Sequence, residues 1–197
     1  MRIMDFQIWI VHHFASDPHG IVERAAPGQL PMDHVQSCLT GKGEMMPALG
    51  MSHVAFCVRD MEKSLAFYQE ALGFRVLQDR RQDTTTGGLP HVYKHRRATR
   101  RQVTLAYGED DTRPQLVMTE HPGEPPDGEP IKLDQIGISH LSFTVPSVAQ
   151  LTQQLLAKGY HTAGPPDAFQ DQAGRVRTVF FFDPDGILVQ FDEGSGG

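Results

Sequence analysis

Cysteine is scarce in this chain. Cys38 and Cys57 are its only two in 197 residues, they form no C-x-x-C spacing, and Cys57 falls within a strand pattern. That excludes a disulfide framework and a cysteine-based zinc site, and it points to a reducing compartment, the cytoplasm. An excess of basic residues is missing as well. Eighteen Lys and Arg against 24 Asp and Glu leave a net charge of −6, which argues against nucleic acid or an anionic membrane as partner. No apolar run reaches the roughly 20 residues needed to cross a bilayer. The stretch Phe6–Val11 is followed at once by His12, His13 and Asp17 and lacks the basic start and cleavage site of a signal peptide. The expectation is a soluble, unsecreted chain, and 39% hydrophobic content suffices for one domain or two small modules sharing a core.

What is present is a repeat. Ser52-His53-Val54-Ala55-Phe56-Cys57-Val58 returns 87 residues later as Ser139-His140-Leu141-Ser142-Phe143-Thr144-Val145. Alternation places Val54, Phe56 and Val58, or Leu141, Phe143 and Val145, on one apolar face of a strand. The histidine shares the opposite face with small residues, Ala55 and Cys57 in one copy, Ser142 and Thr144 in the other. Two histidines from repeated strands are thereby offered to one cavity.

Each histidine strand precedes an amphipathic helix. Asp60 is a good N-cap for Met61, Leu65, Tyr68 and Leu72, and Gly73 ends the pattern; Ser147 caps Val148, Leu151 and Leu155, and Gly159 ends it. Three strands follow each helix. In the first copy they are expected at 74–78, 102–107 and 115–120; in the second at 160–163, 175–182 and 187–192, the last two joined by the turn Asp183-Pro184-Asp185-Gly186. The expected fold class is α+β: two βαβββ modules in a cupped, mostly antiparallel sheet with helices on its outer face. Module one spans 50–121, a linker 122–136, module two 137–193, and a tail 194–197. Residues 1–49 have no counterpart in the repeat and are a true extension, an interface arm, or the product of a start codon placed upstream.

These paired modules, together with Phe181-Phe182-Asp183-Pro184-Asp185-Gly186-Ile187-Leu188-Val189-Gln190-Phe191, resemble the vicinal oxygen chelate superfamily. That group includes glyoxalase I, methylmalonyl-CoA epimerase, extradiol ring-cleaving dioxygenases, and fosfomycin and bleomycin resistance proteins. The resemblance implies metal ligands from the first and last strand of each module. It assigns His53, His140 and Gln190 to those positions, while the fourth falls on Val117, which has no donor atom. It also implies a divalent ion, Fe(II), Mn(II) or Zn(II), a small substrate with neighbouring oxygen atoms, and a homodimer, sometimes with a site completed by two chains. The layout is nearest to the extradiol-type dioxygenases, with a glyoxalase-like lyase or isomerase as alternative and a metal-free binder of the bleomycin-resistance kind as rival. Glutamine is a neutral replacement for the family's glutamate and weakens the ion's charge balance.

Other candidates stand around this set. Arg175 and Arg177, on one face of the strand before the turn, are expected to meet a substrate carboxylate or phosphate, and His95 the cavity mouth. Glu120 and His121 can substitute as ligands if the alignment shifts. The basic run Lys94–Arg101 reads as a solvated hairpin tip balanced by nearby acids, or as a clamp for an anion. Ring cleavage further implies a tyrosine and a histidine base, yet Phe180 stands at the tyrosine position and Gln170, Asp171 and Gln172 where the histidine is sought. No catalytic residue is assigned.

Overall fold

A computed structural model of the chain describes residues 48–109, 113–124 and 126–194. Residues 1–47, with Cys38 and the Phe6–Val11 run, lie outside the described residues, as do 195–197 of the tail. Among the described residues the fold is α+β, with seven strands in two sheets. Module one contributes β1 (His53–Cys57), β2 (Arg75–Asp83), β3 (Thr99–Ala106) and β4 (Gln115–Glu120), in the spatial order β1-β4-β3-β2. Module two contributes β5 (His140–Val145), β6 (Thr178–Phe182) and β7 (Leu188–Glu193), in the order β5-β7-β6. The first strand of each module runs parallel to its last, and the other pairs are antiparallel.

The expected first strand after the second helix shrinks to one bridge, Thr162 with Phe181. Gly164-Pro165-Pro166 follows within two residues, and proline lacks the N–H that would extend the ladder. In module one the corresponding strand is longer than expected, because β2 pairs with β3 as far as Asp83 opposite Thr99. Its polar sequence gave no alternation to read.

Helix α1 (Met61–Leu65) starts at Asp60, whose side chain accepts the Lys63 N–H at 3.1 Å. It continues as a π-helical turn over Ala66–Ala71, in which Leu72 N–H reaches the Phe67 carbonyl at 3.1 Å. The wider turn buries the adjacent residues Phe67 and Tyr68 together, both fully covered. Helix α2 (Val148–Ala157) begins at Ser147, whose side chain accepts the Gln150 N–H at 3.3 Å. Gly73 and Gly159, with φ of 75° and 86°, end the two helices in the left-handed region.

The helix-facing sides of both sheets share one core. Phe56, Phe67, Tyr68 and Phe74 from module one meet Phe143, Tyr160, Phe181 and Phe191 from module two. Phe67 stands edge-on to Tyr160 at 4.9 Å, and Phe74 edge-on to Phe143 at 5.1 Å. The modules are also clamped at the turn. The Arg59 N–H donates to the Asp185 carboxylate at 3.1 Å, while its guanidinium reaches the Asp185 carbonyl at 3.1 Å and the Gly128 carbonyl at 2.8 Å. No helix among the described residues is long and apolar enough to cross a membrane.

Candidate metal and substrate site

Register assigns the polar face of each sheet. In module two, His140 lies opposite Leu188, Ser142 opposite Gln190, and Thr144 opposite Asp192, with Phe180 across from Gln190 on the other side. In module one, His53 lies opposite Gln115, Ala55 opposite Val117, and Cys57 opposite Thr119. Both histidines open their strands, one exposed and one half-buried. Each also meets the hydroxyl of the serine before it. Ser52 Oγ stands 2.9 Å from His53 Nδ1, and Ser139 Oγ 3.0 Å from His140 Nδ1. A hydroxyl both donates and accepts, so each ring can give Nδ1–H to its serine and present a bare Nε2, the state a metal requires.

Gln190 is held more firmly. Its Nε2 donates to both Asp192 carboxylate oxygens at 2.9 Å. A carboxylate only accepts, which fixes the ends of the amide and leaves Oε1 as the available donor atom. Asp192 accepts further bonds from Ser142 Oγ at 2.8 Å and Thr178 Oγ1 at 2.7 Å. Burial pushes its carboxyl up, but the Gln190, Thr178 and Ser142 donors together outweigh that and hold it below the ordinary carboxylate range. With its oxygens so occupied, Asp192 orients Gln190 and is not itself free to ligate. The same-face position of Asp192 was visible in the sequence; its role was not, because it depends on Ser142 and Thr178 arriving from neighbouring strands.

Val117 is buried and apolar, so among the described residues this strand position gives His53 no carboxylate companion. Among the described residues no three or more His, Cys, Asp or Glu side chains group as metal ligands. His140 and Gln190 share one sheet face, and His53 lies on the other sheet.

Residues 50–191 match the Glyoxalase/Bleomycin resistance protein/Dioxygenase superfamily. The chain belongs to this superfamily. It is 30% identical over 141 residues to the uncharacterized protein YwkD of Bacillus subtilis, a match covering 72% of this chain and 94% of that one. A glyoxalase family protein from Bacillus cereus superposes with a TM-score of 0.61 at 14% identity, covering 80% of this chain and 99% of the other. A fosfomycin resistance protein, FosX, from Listeria monocytogenes, solved with Mn(II) and a dihydroxypropylphosphonic acid, gives 0.52 at 18% identity, covering 76% and 95%.

On this superfamily scaffold the remaining candidates separate. Arg175 and Arg177 both lean on Asp171, at 3.5 and 3.7 Å, and are largely exposed. Arg177 steps with Val179 and Phe181 rather than with Phe180, so it leaves the Gln190 face. The basic run is mostly balanced, by acids distant in sequence. Lys94 pairs with Asp127, Arg97 with Glu124 at 3.6 Å, and Arg101 with Glu62 and Asp79. His95 approaches Asp127 at 3.4 Å and lines a hollow of about 580 Å³ over β1, β3 and β4. His121 lines the same hollow and is buried, stepping with Val117 and Thr119 on the polar face.

Proposed function

We propose that this protein is a divalent-metal-dependent enzyme of the lyase or isomerase kind, acting on a small substrate with two neighbouring oxygen atoms. The observation that carries the reading is the Gln190 amide, anchored by Asp192 so that Oε1 is available on the face it shares with His140. His53, His140 and Gln190 would hold the ion. When bound, it would polarise both substrate oxygens as a Lewis acid. Two imidazoles and an amide suit Mn(II), Fe(II) or Zn(II) but bring no negative charge, so binding is weaker than with a carboxylate. The Listeria relative carries Mn(II), which makes Mn(II) the first ion to test.

Because His53 and the His140–Gln190 pair lie on different sheets, and the helix-facing sides of those sheets share a core, the set is completed by a second copy in a homodimer. Two exposed side chains support this. Met51 and Ile138, each two residues before a histidine, are 64% and 76% exposed, placing apolar surface beside both half-sites. Ring-cleaving oxygenation is less well supported. Phe180 stands across from Gln190 with its ring edge-on to His140 at 5.8 Å, bringing no hydroxyl, and residues 170–172 contain no histidine.

The test is metal content by elemental analysis of protein purified without chelators, followed by Mn(II) titration. His53→Ala and His140→Ala should each abolish stoichiometric uptake with folding retained, since neither side chain belongs to the core. Unchanged metal content in both variants overturns the assignment. The neutral donor set also supports a second reading, a metal-free binder, and the Gln190→Glu variant discussed below separates the two.

A further inference from the structure

The hollow over β1, β3 and β4 is distinct in composition from the His53 end of the same sheet face. Ala55, Val92 and Pro126 supply apolar wall, Lys94, His95, Arg97, Thr119 and Asp127 line it too, and three further polar groups bear on a ligand. The first is Arg100, half-buried, whose Nε donates to Gln82 Oε1 at 2.8 Å and which pairs with no carboxylate among the described residues. Lys94 and Arg97 on the same wall are already matched to Asp127 and Glu124. The second is Tyr93, whose Oη is buried with no hydrogen-bond partner among the described residues. A buried hydroxyl left unpaired is costly, so its retention points to a partner that arrives from outside.

The third group is His121, 7% exposed and edge-on to the Tyr93 ring at 5.2 Å. Its Nδ1 lies 2.9 Å from the Thr99 carbonyl. A carbonyl accepts only, so Nδ1 carries the proton and the neutral ring keeps a bare Nε2, an acceptor. The β3–β4 register, Arg101 opposite Glu120, puts His121 opposite Arg100 at the next step. Among the described residues the hollow thus combines one cation unmatched by a carboxylate, one unpaired hydroxyl donor and one acceptor, beside apolar wall.

We infer that this hollow binds a small hydroxycarboxylic acid: Arg100 pairs with the carboxylate, Tyr93 Oη donates to it, and His121 Nε2 accepts from the ligand's hydroxyl. A single unmatched charge suits a monoanion better than a phosphate dianion. The inference deepens the proposed function, and rests on it only for calling the bound acid a substrate.

The test uses the full chain, stripped with EDTA, and calorimetric titration with mandelate, phenylacetate, 1-phenylethane-1,2-diol and phenyl phosphate. Mandelate should bind tightest, phenylacetate more weakly for lack of the hydroxyl, and the neutral diol and the dianion weakest. Arg100→Gln should cut mandelate affinity about tenfold or more while leaving the diol unchanged, as expected for loss of a charge-assisted contact. His121→Phe should erase the preference for mandelate over phenylacetate. Tyr93→Phe should weaken mandelate binding yet leave the melting temperature of the free protein equal or higher, a signature that loss of folding cannot mimic. Equal binding of all four probes, or unchanged mandelate affinity in Arg100→Gln, overturns the inference. Binding is read without metal, so it can succeed where Mn(II) uptake fails, and the reverse.

Discussion

The informative residue is Gln190, and the carboxylate beside it sets what a substitution does. Gln190→Glu would remove the amide donor from Asp192 and set two carboxylates where the amide nitrogen and carboxylate now meet at 2.9 Å. Without a cation this costs the lost charge-assisted bond, about 1.5–3 kcal/mol, in addition to like-charge repulsion. A bound dication reverses the sign, because it neutralises the new carboxylate and stabilises the folded state by mass action. The variant should therefore melt below wild type in EDTA and recover with Mn(II), with tighter Mn(II) binding than wild type. A variant that melts lower and gains nothing from Mn(II), Fe(II) or Zn(II) leaves the metal-free binder standing. The strand faces behind the candidate site were legible in the chain: the repeated His53 and His140, and Gln190 with Asp192 on one face, follow from alternation and need no tertiary knowledge. The Tyr93–His121 pair was not, because Tyr93 lies in an excursion with no periodicity and His121 reads as a strand end.

At the level of elements, the β6–β7 turn is fastened to the first helix by a buried bond. Tyr68 Oη donates to Asp183 Oδ2 at 3.0 Å, while Asp183 Oδ1 accepts the Asp185 and Ile187 N–H groups at 2.9 and 2.8 Å. Burial pushes the Asp183 carboxyl up to about 6, although the Ile187 N–H, the Tyr68 hydroxyl and the Asp185 N–H all pull it down. From an ordinary value of 3.8, the folded protein holds this proton when the unfolded chain has lost it. Stability from this group is thus present at low pH and falls as pH rises through about 4 to 6, by on the order of 3 kcal/mol. Asp183→Asn keeps an oxygen for the two N–H groups but cannot ionise. Relative to wild type, the variant should gain stability between pH 4.5 and pH 7 in urea denaturation; an equal difference at both pH values would show that Asp183 stays ionised throughout. Both helix starts, both glycine stops and the turn itself were readable from capping and turn chemistry. The π-helical turn that buries Phe67 beside Tyr68, and the reach of β2 to Asp83, were not, since one departs from the 3.6-residue period and the other has a polar strand sequence.

For the whole molecule, the sharpest question is whether one metal site draws on one chain or two. The repeat makes the copies of the fold equivalent, but not the donors: module one offers His53, module two His140 with Gln190. In a twofold dimer with sites shared between chains, each site would take module one of one chain and module two of its partner. Consider then a His53→Ala chain paired with a His140→Ala chain. One of the two sites would combine both lesions and be dead; the other would combine the intact His53 of the second chain with the intact His140 and Gln190 of the first. Neither variant alone restores anything, because every site in its homodimer carries the same lesion. Random reassortment yields heterodimers as about half of all dimers, each with one live site, so the mixture should recover about one quarter of the wild-type Mn(II) sites. A site built within a single chain recovers none, since every chain in the mixture lacks one ligand. Metal content after unfolding and refolding the two variants together, with dimer mass confirmed by light scattering, decides between the two arrangements. Recovery at the level of the unmixed variants would place the whole ligand set in one chain.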